Sequence, residues 1–256
     1  MTDAPARRRR WPRVVLAVVA VLVVATVAAL LWLRPAGPTQ PALDALRTDD
    51  RVHVAEDSAR VVLSPTGDSS GTGLFFQPGA RVDARAYAAV LRPLAESGHE
   101  VVIAKQPLGI AFLALPAFDA ARADRPHIER WVVGGHSLGG TVAGLHAEAA
   151  AADGTVAGLV LHASYPSSDL SALAIPVLSL SGGGDAITTP DDIATRRDLL
   201  PPATTYTQLP GVNHAGFGDY GPQAGDGPLG VTQDEARAAV AAATLAFVER
   251  GQRLGG

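Results

Sequence analysis

The chain has 256 residues, 47% of them hydrophobic and 18% charged, with 27 Gly and 19 Pro; this excludes a disordered or fibrous protein and accommodates one full-sized domain plus appendages. A cysteine count of 0 excludes a disulfide framework, thiolate catalysis and cysteine-ligated metal. The net charge of −4 is unevenly placed, since five Arg against one Asp give residues 1–13 a charge of +4 and leave −8 for the remainder. An acidic body of this kind argues against nucleic acid as a partner.

From Val14 to Leu33 run twenty residues without a charge, among which Thr26 is the polar one. At 1.5 Å per residue a helix of that length spans roughly 30 Å, the thickness of a bilayer's hydrocarbon. Arg7 to Arg10 and Arg13 precede it, Arg34 and Pro35 close it, and Trp11 and Trp32 stand at its ends as interfacial aromatics do. The expectation is a transmembrane helix over 14–33 behind a cytoplasmic basic tail over 1–13. By the positive-inside rule the rest of the chain then lies on the extracytoplasmic side of a cell membrane. A cleaved signal peptide fits less well, because its apolar region is shorter and Leu30-Leu31-Trp32-Leu33 offers no small-x-small site.

Residues 34–48, with Pro35, Gly37, Pro38 and Pro41, read as an extended linker, so the body is expected over 49–256. Within it, short β-branched runs predict strands at 59–63, 73–76, 101–104, 131–134, 156–162, 177–181 and 204–209. Helical patterns fall between and after them at 83–97, 138–152, 191–200 and 232–252. Strand-helix alternation predicts an α/β fold with a mostly parallel central sheet and helices on both faces.

Residues 131–140 read Trp-Val-Val-Gly-Gly-His-Ser-Leu-Gly-Gly and place a Gly-x-Ser-x-Gly pentapeptide between an expected strand and an expected helix. A serine on so sharp a turn needs glycine at 135 and 139, where a Cβ would collide with neighbouring chain. The turn exposes the Ser137 hydroxyl as a nucleophile. The following helix aims its N-terminal N–H groups at the same place, with Leu138 N–H as the first oxyanion donor. A serine hydroxyl needs a base within hydrogen-bond reach, and seven histidines compete for that role. His136 should point away from the turn, and His146 lies in the helix beyond reach. His53, His99 and His127 fall in edge or loop positions suited to solvated rings, and His162 ends a strand as a possible pocket residue. His214, in a glycine-bounded loop after the 204–209 strand, remains as the base. Four carboxylates, Asp185, Asp191, Asp192 and Asp219, stand near the same edge. Asp191 and Asp192 follow Pro190 at a helix start and suit capping, whereas Asp185 follows a Gly-Gly-Gly turn able to aim it inward.

With Gly-His-Ser-Leu-Gly at 135–139, Phe75 to Ala80 after an early strand, Gly184-Asp185 after a late one and Gly211 to His214 after the last, the body resembles the α/β-hydrolase superfamily. The likeness is to its small, lidless members similar to dienelactone hydrolases. The resemblance implies the triad order Ser137, Asp185, His214 and a serine hydrolase that cleaves an ester or similar acyl bond through an acyl-enzyme. That chemistry needs no cofactor, no pair of histidines stands at i, i+4 with a carboxylate to hold a metal, and the substrate is expected to be a small-molecule or envelope-borne acyl compound. Gln77-Pro78-Gly79 departs from the His-Gly of many relatives, and by position the second oxyanion donor is expected at Ala80 N–H. The segment 164–175 is too short for a lid, so an open site is expected, and Phe217 and Tyr220 are expected to pin the loop after His214. Acyl transfer by the same triad and a non-catalytic binding domain on the same fold are the two rival readings.

Overall fold

A computed structural model of the chain describes residues 11–32, 34–150 and 154–253. It divides into two units, residues 1–34 and 35–256. The first is a helix, α1 (Trp11–Trp32), whose described side chains are exposed and which is long and apolar enough to cross a membrane. The arginine cluster at 7–10 and Leu33 lie outside the described residues.

The second unit begins earlier than expected. Ala36 pairs with Val82, and a short helix α2 (Gln40–Asp44) buries Ala42 completely. The segment 34–48 is therefore not a free linker: backbone groups of Ala36, Thr39, Ala45 and Arg47 bond to the rest of the body, and the body starts at Pro35 rather than 49. Its prolines suit a chain laid along a surface as well as one in solvent, which is why composition misplaces the boundary.

The remaining elements are β1 (Val52–Glu56), β2 (Arg60–Pro65), β3 (Thr72–Gln77), α3 (Ala88–Glu96), β4 (Glu100–Ala104), α4 (Ala117–Ala123), β5 (Arg130–His136), α5 (Leu138–Ala150), β6 (Val156–His162), β7 (Val177–Gly182), α6 (Pro190–Ala194), β8 (Thr205–Leu209) and α7 (Gln233–Arg253). The strands form one sheet in the order β1-β2-β4-β3-β5-β6-β7-β8, antiparallel at β1 and β2 and parallel from β4 onward. This is the α/β architecture expected. The hairpin strand β1 and the helix α4 were not anticipated, and the helix expected over 191–200 breaks after Ala194 into a separate 3₁₀ turn at Arg197–Leu199.

Alternation along the strands sorts the core into two layers. Leu74 and Phe76 of β3 face a cluster that includes Leu91 of α3 and Val240 and Phe247 of α7. Phe75 faces the other side, with Ala143 and Ala147 of α5 and Phe118 of α4. Each fully buried aromatic or aliphatic side chain contributes roughly 1.5–3 kcal/mol, so both faces of the parallel strands must be covered, and the helices cover them. The segment 163–176 between β6 and β7 contains no helix or strand among the described residues.

Candidate active site

The parallel strands end at one edge of the sheet, and the loops that leave β3, β5, β7 and β8 there carry the expected site residues. Ser137 stands alone between β5 and α5 with φ of 51°, a left-handed conformation that a non-glycine residue adopts at a cost of about 1–3 kcal/mol. Four hydrogen bonds hold it there: Ser137 N–H donates to His162 O at 2.9 Å, and its carbonyl accepts from Ser164 Oγ at 2.7 Å, Gly140 N–H at 3.0 Å and Thr141 N–H at 3.3 Å. A Cβ on Gly135 would fall onto Gly139, and one on Gly139 would fall onto the carbonyl oxygens of Gln77 and Pro78. Both glycines are thus fixed by close approach of backbone, as the pentapeptide implied.

His214 and Asp185 meet in the interior. Asp185 Oδ2 accepts from His214 Nδ1 at 2.8 Å, and both side chains are almost wholly buried. The other oxygen, Oδ1, accepts from Ile187 N–H at 2.8 Å and Thr188 N–H at 2.7 Å, so the carboxylate is held by three donors and cannot rotate away. The Nδ1 bond leaves Nε2 as the atom free to take a proton. Among the described residues the Ser137 hydroxyl makes no hydrogen bond to His214; catalytic hydrogen bonds of this kind commonly tighten in the substrate complex.

The rival carboxylates are engaged elsewhere. Asp219 is buried and accepts from Arg237 Nε at 2.9 Å and Nη2 at 2.8 Å. Asp192 closes a capping box with Thr189 at the start of α6, and Asp191 sits in the same first turn. Sequence reasoning missed Asp226, whose carboxylate accepts from Ala215 N–H at 2.8 Å and His214 N–H at 3.2 Å and so anchors the histidine loop. Only its place between two glycines hinted at a structural task.

The donors expected to face an oxyanion, Leu138 N–H and Ala80 N–H, give hydrogen bonds to no acceptor among the described residues, and Ala80 is exposed. Gly79 N–H, the neighbouring alternative, is occupied: it donates to Tyr87 Oη at 2.9 Å. The Tyr87 hydroxyl in turn donates to His136 Nδ1 at 2.9 Å.

His136 corrects the expectation that it turns away. It is 1% exposed, its ring centroid lies 4.5 Å from that of His214, and Phe217 stacks on it at 5.7 Å with planes 16° apart. A parallel register sets His136 beside His162, whose Nε2–H donates to Thr244 Oγ1 at 2.9 Å, so His162 is core and not pocket. Burial drives both rings toward neutrality: His162 is pushed down to about 3, and His136 well below its ordinary range, with the His214 and His162 rings adding to the effect. His99, expected in solvent, is also buried and bonds Ser70 Oγ at 2.8 Å, whereas His53 and His127 are exposed. Phe217 and Tyr220 are buried, which agrees with pinning.

The alpha/beta hydrolase family model matches residues 73–238. The chain belongs to the alpha/beta hydrolase family. No curated protein sequence matches it. Among solved structures it is similar to a bacterial heroin esterase (TM-score 0.59, 16% identity, covering 82% of this chain and 88% of that one). It is also similar to dienelactone hydrolase from Anabaena variabilis (TM-score 0.59, 16% identity, 78% and 98% covered). An esterase from the archaeon Pyrobaculum calidifontis matches likewise (TM-score 0.59, 18% identity, 82% and 88% covered). At these identities the likeness is one of fold.

Proposed function

We propose that the chain is a serine ester hydrolase tethered to a membrane through residues 14–33. The observation that carries the reading is the buried Asp185–His214 pair at 2.8 Å, at the same sheet edge as a serine held at positive φ. Ser137 Oγ attacks the acyl carbon as His214 Nε2 takes its proton, and Asp185 fixes the tautomer and stabilises the imidazolium. Leu138 N–H, at the N-terminus of α5, and Ala80 N–H receive the negative charge on the carbonyl oxygen. His214 then protonates the leaving alkoxide. Water, activated by the same imidazole, cleaves the acyl-enzyme to the acid and restores the serine.

Ser137 is half-buried, so water reaches the acyl-enzyme, and this favours hydrolysis over transfer to another acceptor. The chemistry needs neither cofactor nor metal. A fluorophosphonate probe tests the reading: it should label the wild-type chain and leave Ser137→Ala unlabelled, and labelling of the variant refutes the nucleophile. Orientation follows from the arginines before the helix. Protease added outside intact cells or spheroplasts should digest the body while a tag on Met1 survives, and the reverse pattern refutes an extracytoplasmic catalytic domain.

A further inference from the structure

The large hydrophobic side chains of the body are not evenly hidden. Among its described residues five are exposed, and four of them fall in one stretch: Leu108 (48%), Phe112 (43%), Leu113 (53%) and Leu115 (41%). No charged residue occurs from Gln106 to Phe118. The stretch is not loose chain that has failed to pack. It forms 3₁₀ turns at Pro107–Gly109 and Ala111–Ala114, buries Ala111 and Ala114, and packs the second turn against α5. Its small residues face the protein and its large ones face outward, the reverse of an ordinary surface turn.

Two neighbours identify what this face meets. Arg81 N–H donates to Gly109 O at 2.7 Å, and Ala36 N–H donates to Arg81 O at 2.7 Å, so the first residues of the body and the apolar turns are bound to the same strand of backbone. Pro35 itself lies against Gly109. Only Leu33 and Arg34 separate Pro35 from the end of the apolar helix at Trp32, a span of about 11 Å at full extension. The second neighbour is the oxyanion loop. Arg81 belongs to the loop that carries Ala80, and Gln106 Nε2 donates to Pro78 O at 3.1 Å and Gln77 Oε1 at 3.2 Å.

We infer that Leu108, Phe112, Leu113 and Leu115 seat in the headgroup-acyl boundary of the bilayer and bring the mouth of the site to the membrane, so that the enzyme takes acyl esters presented at the lipid surface. The inference rests on the tethered-hydrolase reading above. Pro35, which lies against this face, follows the apolar helix by two residues in sequence, so a chain anchored through that helix keeps the face within reach of the bilayer. An uncharged, outward apolar ridge is the surface that gains by entering it, at roughly 25 cal/mol for each Å² removed from water. The substrate class follows from contiguity, because the loop that receives the oxyanion adjoins the ridge.

The absence of cysteine makes the test clean. The full chain is reconstituted into phosphatidylcholine–phosphatidylglycerol vesicles as Phe112→Cys, Leu113→Cys or, beyond the opposite sheet edge, the exposed Asp68→Cys, each carrying a nitroxide. Labels at 112 and 113 should collide with oxygen and be shielded from aqueous nickel at least threefold relative to 68. Equal nickel access at all three sites in a chain that resists carbonate extraction overturns the docking. A chain stripped by carbonate refutes the tether and overturns the docking with it. Spin-spin broadening at 112 that grows with the protein-to-lipid ratio assigns the ridge to a second copy and likewise overturns it. For the substrate, Phe112→Ser/Leu113→Ser should lower the ratio of vesicle-borne to water-soluble ester turnover at least fivefold. An unchanged ratio overturns the substrate assignment. Wild-type chain that turns over neither ester refutes the hydrolase reading, and the depth measurement then decides the docking alone.

Discussion

Two loops face each other across the candidate site, and they were specified differently. The elbow, 135–140, is held by constraints written into its own residues: glycine at 135 and 139 because backbone passes where a Cβ would stand, and one serine at positive φ between them. The loop 77–82 is held from outside. Gly79 N–H is bonded by Tyr87, Arg81 N–H by Gly109 O, and the Gln77 side chain by Gln106 and by His146 Nε2 at 2.9 Å. A loop of the first kind announces itself in sequence, whereas one of the second kind acquires its geometry from partners that no local pattern names. Gly139 joins the two, since it rests directly on the Gln77 and Pro78 carbonyls.

Breaking the elbow should have the larger consequences. Ser137→Ala should reduce ester turnover on the order of 10⁴ to 10⁶, read as kcat, and His214→Ala should match it with no further loss in the double variant, because the pair acts as one unit. Asp185→Asn should cost on the order of 10² to 10⁴ in kcat with little change in KM, since it acts on the tautomer and the imidazolium. Asp219→Asn separates the carboxylate proposed as the triad acid from its rival. It loosens the Arg237 contact and should lower Tm with turnover per folded molecule nearly unchanged, and a crippled Asp219→Asn beside a nearly silent Asp185→Asn would reverse the acid assignment.

Perturbing the loop 77–82 should have intermediate effects and should sharpen the contrast. Tyr87→Phe removes the hydroxyl that links Gly79 N–H to His136 Nδ1 and leaves two buried polar groups unpaired, at about 1–3 kcal/mol in stability. Since that link stations the loop carrying Ala80, kcat should fall about tenfold while KM holds, as expected when a transition-state contact is displaced. A Tyr87→Phe enzyme of lower Tm but full kcat would show that Ala80 does not depend on the link.

The legibility of the molecule divides along the same line. The parallel sheet and the elbow were readable because strands and turns carry their pattern in residues a few positions apart, whereas the pairing of Asp185 with His214, 29 residues away, was expected from the family resemblance, with the Gly-Gly-Gly turn before Asp185 as its one local sign. The surroundings of the histidines were not readable. His136, His99 and His162 bond to Tyr87, Ser70 and Thr244, at sequence separations of 49, 29 and 82 residues, so nothing beside them in the chain predicted their burial. The start of the body was misread for a similar reason, since Ala36 is fixed by Arg81 and Val82. Asp226, eleven residues beyond Ala215, holds the histidine loop through backbone donors that sequence does not mark.

Those hidden histidines give the smallest and most specific prediction, a pH dependence of stability that does not involve the Asp185–His214 pair. Burial lowers His146 to about 4 and His162 to about 3, and His136 falls in the same direction. In the unfolded chain each titrates near 6.5. A base with a depressed folded pKa leaves stability intact above its unfolded value. Below that value the unfolded chain binds protons that the folded one refuses, so stability falls as pH drops from about 6.5 toward 4, at up to about 1.4 kcal/mol per pH unit for each histidine. Thermal unfolding of the detergent-solubilised chain, followed by circular dichroism from pH 7 to pH 4.5, should show Tm declining through that window. His162→Asn lowers stability at every pH because the His162 ring packs between Phe76 and Phe217. Its decline with pH should nevertheless be shallower than that of the wild type, by one histidine's share. Parallel declines in the two proteins would mean that His162 is protonated in the fold, and that the Thr244 hydroxyl does not receive a neutral ring.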